Sequence, residues 1–128
     1  MGISSANGVL KASGIISKTA PTLIGSVDCD GYDWLTLLLN YTKGDETGLD
    51  IYPWLLRAAG GNEYQQTVWT ITAGVGASVA SKYRLLATLK TYITFDVRGV
   101  ALMKFYQGGS NNDGTPTGTL ATDYILDT

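Results

Sequence analysis

Between Tyr32 and Arg57 the chain places two apolar, aromatic-rich runs on either side of the polar segment Thr-Lys-Gly-Asp-Glu-Thr-Gly. Runs of this length flanking a short polar stretch with a glycine near each end predict a β-hairpin. In the first run Leu35, Leu37, Leu39 and Tyr41 fall on one face of a period-2 strand, and Trp34, Thr36, Leu38 and Asn40 fall on the other. The first face is wholly apolar and the second is mixed, the pattern of a central, buried strand. In the second run Leu49 and Ile51 point one way and Asp50 and Tyr52 the other, until Pro53 intervenes. Proline donates no ladder hydrogen bond, so this strand is either an edge or bulged at that point. A bulge would reverse the facing and put Trp54 and Leu56 on the core side, and that is the expectation adopted.

The rest of the chain reads the same way. Val9–Ser17 is a first strand with a bulge near Gly14, and Thr22–Val27 a second, begun through Pro21. Asp28-Cys29-Asp30-Gly31 is a turn in which Asp side chains bond the local backbone and Gly31 takes positive φ. Gly60-Gly61-Asn62 turns the chain into a strand over Tyr64–Thr72, followed by a flexible connection over Ala73–Ala77 and a strand from about Tyr83. Thr91–Arg98 alternates, with Ile93, Phe95 and Val97 inward and Tyr92, Thr94, Asp96 and Arg98 outward. Strands over Val100–Gln107 and Gly118–Leu126 complete the set. Residues 1–8 are small and polar and read as an arm, and residues 108–117 as a long loop without apolar side chains. About eight short strands with no helical pattern and no repeat predict an all-β fold. The architecture expected is an antiparallel β-sandwich of jelly-roll type, or a small barrel, forming one domain over residues 1–128. Pro53, Lys82 and Arg84 would protect its edges.

Composition removes several function classes. The chain has no histidine, which eliminates Ser-His-Asp and Cys-His catalysis and the commonest metal ligand. Its nine Lys and Arg are scattered singly and the net charge is −2, so nothing attracts a phosphate backbone. Cys29 stands alone between Asp28 and Asp30, which oppose thiolate formation, and reads as a small packed residue. Asp28, Asp30 and Asp33 resemble the start of a calcium loop, but the twelfth position counted from Asp28 is Leu39 rather than glutamate. Gly74-Val75-Gly76 lacks the third glycine and the Lys-Ser/Thr pair of a phosphate loop. Asp45 and Glu46 are adjacent carboxylates expected at an exposed turn, not a glycosidase pair. The tryptophans Trp34, Trp54 and Trp69 are expected to fill core or interface rather than stack on sugars. No signal peptide, membrane helix or myristoylation pattern is present, which predicts a soluble product made in the cytoplasm, and the Asn40-Tyr41-Thr42 glycosylation triplet is then incidental. No cofactor, enzymatic activity, nucleic acid or membrane is expected.

Two blocks carry a family resemblance. The apolar strand leading through Tyr41-Thr-Lys-Gly-Asp-Glu46 into Leu49-Asp-Ile51 is similar to a recurrent stretch in small virion structural proteins of tailed bacteriophages. The strand Tyr92-Ile-Thr-Phe-Asp-Val-Arg-Gly99 and the turn Gly114-Thr-Pro-Thr-Gly-Thr-Leu120 resemble the end of the same proteins, although here Val100–Asn112 intervenes. The resemblance implies a non-enzymatic β-sandwich component of a phage particle, foremost a capsid decoration or cement protein. A tail, baseplate or head-tail joining protein is the alternative, and a carbohydrate-binding module using Trp54 or Trp69 is a rival from another class. The implied partners are copies of the chain itself, as in a trimer, and the major capsid or other virion proteins; the implied location is the virion. The candidate contact residues are Met1, Gly2, Ile3, Ser4 and Ser5 in the arm and Asn111, Asn112 and Asp113 in the long loop.

Overall fold

The computed structural model describes residues 5–16, 22–58, 60–110 and 116–128. In chain order its strands are β1 (Ser5–Ile15), β2 (Thr22–Asp28), β3 (Trp34–Thr42), β4 (Gly48–Leu56), β5 (Tyr64–Gln65) and β6 (Thr67–Thr72). They continue with β7 (Val75–Ala80), β8 (Tyr83–Leu85), β9 (Leu89–Asp96), β10 (Leu102–Ser110) and β11 (Thr119–Asp127). One sheet has the order β1-β11-β3-β9, and a second has β2-β10-β4 with β5 and β8 both on the far edge of β4. Strands β6 and β7 form a two-stranded sheet of their own.

The pairing follows one rule. Early strands pair with late ones in reverse order, β1 with β11, β2 with β10, β3 with β9, and β4 with β8 and β5. Wrapping that long antiparallel ribbon then sets β11 against β3 and β10 against β4. This is a jelly roll, the all-β antiparallel sandwich expected, with more strands than the eight anticipated.

The wrap overturns the predicted Tyr32–Arg57 hairpin, because β3 and β4 lie in different sheets. Each run has an apolar face and needs a core to cover it, and strand periodicity cannot distinguish a hairpin from an arch across that core. The later strands decide: β3 is flanked by β11 and β9, so no edge of it is left for β4. The facing of β3 is as expected, with Leu35, Leu37, Leu39 and Tyr41 buried. Phe95 of β9 and Phe105 of β10 meet at 5.5 Å between ring centroids, and Tyr83 of β8 meets Phe95 edge-on at 5.9 Å, so aromatic rings tie the two sheets together.

Pro53 makes neither an edge strand nor a bulge: β4 is paired on one side by β10 and on the other by β5 and β8. The β4–β10 register runs unbroken from Gly48 opposite Ser110 to Leu56 opposite Leu102. The Pro53 carbonyl accepts from the Gln66 amide at 3.0 Å, so the donorless nitrogen also faces the outer side of β4. With no bulge the facing does not reverse: Pro53 and Leu55 lie toward the core, while Trp54 joins Tyr52 on the outer face. Leu56 is buried, but outside the main core cluster.

Other boundaries shift. Strand β1 begins at Ser5, opposite Asp127, so Ser5–Gly8 belong to the sheet rather than to an arm. Its register slips between Lys11 and Gly14, where a bulge was expected. Strand β10 extends to Ser110 and takes residues 108–110 from the predicted loop. The predicted flexible connection at Ala73–Ala77 is instead a tight turn: Ala73 (φ 52°) and Gly74 (φ 78°) join β6 to β7 as a type I′ pair. Residues Met1, Gly2, Ile3, Ser4, Asn111, Asn112 and Asp113, and the strand start at Pro21, lie outside the described residues.

Candidate functional site

The outermost position of the second sheet is filled by two short strands where one would suffice. Along β4, Tyr64 lies opposite Leu55 and Gln65 opposite Trp54, and Gln66 donates to Pro53. The pairing resumes with Tyr83 opposite Ile51 and ends with Leu85 opposite Leu49. The intervening chain leaves the sheet as the β6–β7 hairpin, closed at its base by the Ser81 amide donating to the Gln66 carbonyl at 2.8 Å. The hairpin departs beside Pro53, whose nitrogen offers no donor to that side of β4.

The hairpin exposes apolar surface. Ile71 is 72% exposed, Val75 68% and Val79 47%, and no Asp, Glu, Lys or Arg occurs from Tyr64 to Ser81. Exposed strand edges of soluble proteins are normally guarded by charge or proline, and a lone two-stranded ribbon is marginal in water. Here neither guard is present.

Beside its base, on the outer face of the second sheet, lies an open basin of about 480 Å³ lined by Tyr52, Trp54, Glu63, Gln65 and Tyr106. Tyr52 and Tyr106 are opposite one another on β4 and β10, and Trp54 meets Tyr106 edge-on with centroids 6.0 Å apart. Ion pairs bound it: Lys104 with Glu63, and Arg84 with Asp50 through two bonds of 2.7 and 2.9 Å. Burial, and then the Asp50 carboxylate, push the Tyr52 hydroxyl above its ordinary value, so it stays protonated. Trp54 is therefore a surface wall, contrary to the expectation that it fills the core. Trp34 is also outside the core, 42% exposed beneath the Arg98 guanidinium at 5.6 Å.

The turn residues Asp45 and Glu46 meet Thr117 and Gly118 at one end of the sandwich. Glu46, expected on an exposed turn, is only 3% exposed. Its carboxylate accepts from the Tyr41 hydroxyl and from the amides of Gly44 and Gly118, each amide at 2.9 Å. Burial alone would raise its pKa, but these donors outweigh burial and hold it at about 2. Asp45 accepts from the Thr117 amide and hydroxyl, and the Thr117 hydroxyl accepts from the Asp45 amide at 3.0 Å. A side chain at Gly44 would collide with Thr117, and one at Gly118 with the Glu46 carboxylate. The Thr-Lys-Gly-Asp-Glu turn is thus a clamp on the start of β11, and its carboxylates are committed to the backbone rather than to chemistry.

The remaining sequence candidates resolve locally. Asp28 accepts from the Asp30 amide at 3.0 Å and Gly31 has φ 84°, as expected of that turn. Among the described residues no three His, Cys, Asp or Glu side chains converge on a metal position. Cys29 is fully buried, its thiol pushed up to about 11 chiefly by that burial, and it donates to the Val27 carbonyl. The sole candidate contact residue within the described chain is Ser5, at the opposite end of β11 from the clamp. Of the basin residues the sequence singles out Trp54 alone, as the stacking platform of the rival carbohydrate-binding reading, and the hairpin shows in the sequence only as the uncharged stretch Tyr64–Ser81.

Comparison with protein-family models and with curated proteins finds no match. Among solved structures, the SPBc2 prophage-derived protein YomS is similar over 100% of this chain and 96% of its own, with TM-score 0.59 and 15% identity. The PBSX exported protein XepA is similar over 100% of this chain and 39% of its own, with TM-score 0.59 and 13% identity. An infectious bursal disease virus VP2 subviral particle structure is similar over 98% of this chain and 32% of its own, with TM-score 0.57 and 10% identity. What they share is the fold. This chain spans nearly all of YomS but only a third or so of the other two.

Proposed function

We propose that this chain is a non-enzymatic structural component of a phage particle, and specifically a capsid decoration protein that stabilises the shell by burying surface against neighbouring subunits. The observation that carries the reading is the uncharged β6–β7 hairpin, a two-stranded sheet of its own whose exposed Ile71, Val75 and Val79 are suited to burial in an assembly. Support for a particle role comes from the full-length likeness to a prophage-derived protein and from the occurrence of the same jelly roll in a viral particle. Copies of the chain and the major capsid protein are the proposed partners, with Met1–Ser5 and residues 111–113 as further contacts.

The test is occupancy on purified particles. Replacing Ile71 and Val79 together by lysine should leave the β-type circular dichroism unchanged and strip the protein from the particle. Unchanged occupancy would refute the hairpin as the contact. Copy number separates the finer readings: decoration requires a number matched to the shell subunits, whereas a tail, baseplate or head-tail joining protein is present in a small ring.

A further inference from the structure

We infer that the outer face of the second sheet holds a binding site for a neutral pyranose sugar, with Trp54 and Tyr106 as its stacking walls. The basin's volume of about 480 Å³ lies within the range of small-ligand sites. Its aromatic walls stand on β4 and β10, paired in unbroken register, so their spacing is fixed by the sheet. Trp54 and Tyr106 meet edge to face at an interplanar angle of 64°, forming two walls of a recess instead of a closed stack. A pyranose has one face rich in C–H groups, which the negative face of an aromatic ring attracts, and a rim of hydroxyls that need partners. Glu63 and Gln65 provide those partners from the side, a carboxylate acceptor and an amide that both donates and accepts.

Charge narrows the ligand class. Each carboxylate around the basin already faces a cation, Glu63 with Lys104 and Asp50 with Arg84. The site therefore offers no uncompensated positive charge to a sialylated or phosphorylated glycan, and a neutral sugar is the ligand that fits. The site is separate from the exposed apolar residues of the hairpin, so sugar binding and particle attachment can fail independently.

Saturation-transfer NMR on the intact chain with lactose, maltose, cellobiose and, as the anionic counterpart, sialyllactose tests this directly. At least one neutral disaccharide should give transfer, with weak affinity in the millimolar range that is usual for so small a contact. Trp54→Ala and Tyr106→Ala should each weaken it roughly tenfold, while Trp34→Ala leaves it unchanged. Far-ultraviolet circular dichroism checks folding, and if Trp54→Ala unfolds, Tyr106→Ala and Gln65→Ala carry the comparison. Silence with every neutral disaccharide overturns the inference. So does a preference for sialyllactose, or binding that none of the basin substitutions disturbs.

Discussion

Glu46→Gln tests whether the buried clamp holds the jelly roll closed. In the folded chain the carboxylate sits at about 2 against an ordinary 4.5. That difference corresponds to roughly 3 kcal/mol of stability linked to its ionisation. The sign follows from the direction: the folded pKa is depressed, so the contribution is complete well above pH 4.5 and is lost as the pH falls from there through about 2. Glutamine keeps one acceptor oxygen but turns an NH2 toward a group that now donates. Either orientation leaves one backbone amide without a partner, Gly118 if the NH2 takes the Oε1 position and Gly44 if it takes Oε2, where the Tyr41 hydroxyl can turn to accept. A buried donor left unpaired costs about 1–3 kcal/mol, so the variant should be about 2–4 kcal/mol less stable at neutral pH. Urea unfolding followed by tryptophan fluorescence, repeated from pH 7 down to pH 2, measures both proteins under matched conditions. Other carboxylates contribute equally to the two and cancel in the difference. The gap should close on acidification, because protonated glutamate and glutamine then present one donor and one acceptor alike. A gap that stays constant over the whole range would refute the clamp as described.

Three further outcomes follow from the packing. Ala73 holds a left-handed conformation (φ 52°) in the turn of the hairpin, so Ala73→Asn should stabilise the chain by up to about 1 kcal/mol, measured by thermal unfolding. Phe105→Ala removes the fully buried ring that meets Phe95 and should cost about 3–5 kcal/mol in chemical denaturation. The buried hydroxyl of Thr122 finds no partner among the described residues, so the isosteric Thr122→Val should leave stability unchanged or raise it by about 1 kcal/mol.

Facing was legible in the sequence wherever one strand answers to one core. The inward sets of β3 and of Ile93, Phe95 and Val97 follow from period-2 alternation alone, and the sandwich brings them together. What could not be read is pairing between distant segments. Lys43–Thr47 looks like a hairpin loop because local periodicity contains nothing about β9 and β11, which claim both edges of β3. Glu46 looks solvated because the amide that justifies its burial belongs to Gly118, 72 positions away. Ala73–Gly74 looks slack because alanine is not a residue that signals positive φ, and the turn goes with the β6–β7 pairing around it. The clamp sets Asp45 and Glu46 against Thr117 and Gly118, contacts across 72 positions that local periodicity does not contain.

The conformation at Pro53 decides which face of β4 carries Trp54. A bulge there would turn Trp54 inward and empty the outer face of its aromatic wall. In a regular, unbulged strand Pro53 does the opposite. Its carbonyl still holds Gln66, its missing N–H leaves the next position of the edge open, and the chain departs there as the hairpin before returning at Tyr83. With β4 unbulged, Tyr52 and Trp54 share the outer face with Tyr106, and Gln65 closes the basin from the strand that Pro53 interrupts. The hairpin and the basin thus adjoin the same side of β4. Replacing Pro53 by valine restores the donor at no cost to strand propensity. If the interruption is caused by the missing donor, this change should extend pairing along β4 and add a protected amide there in hydrogen exchange. If the hairpin is held out by its own turn and register instead, the exchange pattern will be that of the parent chain.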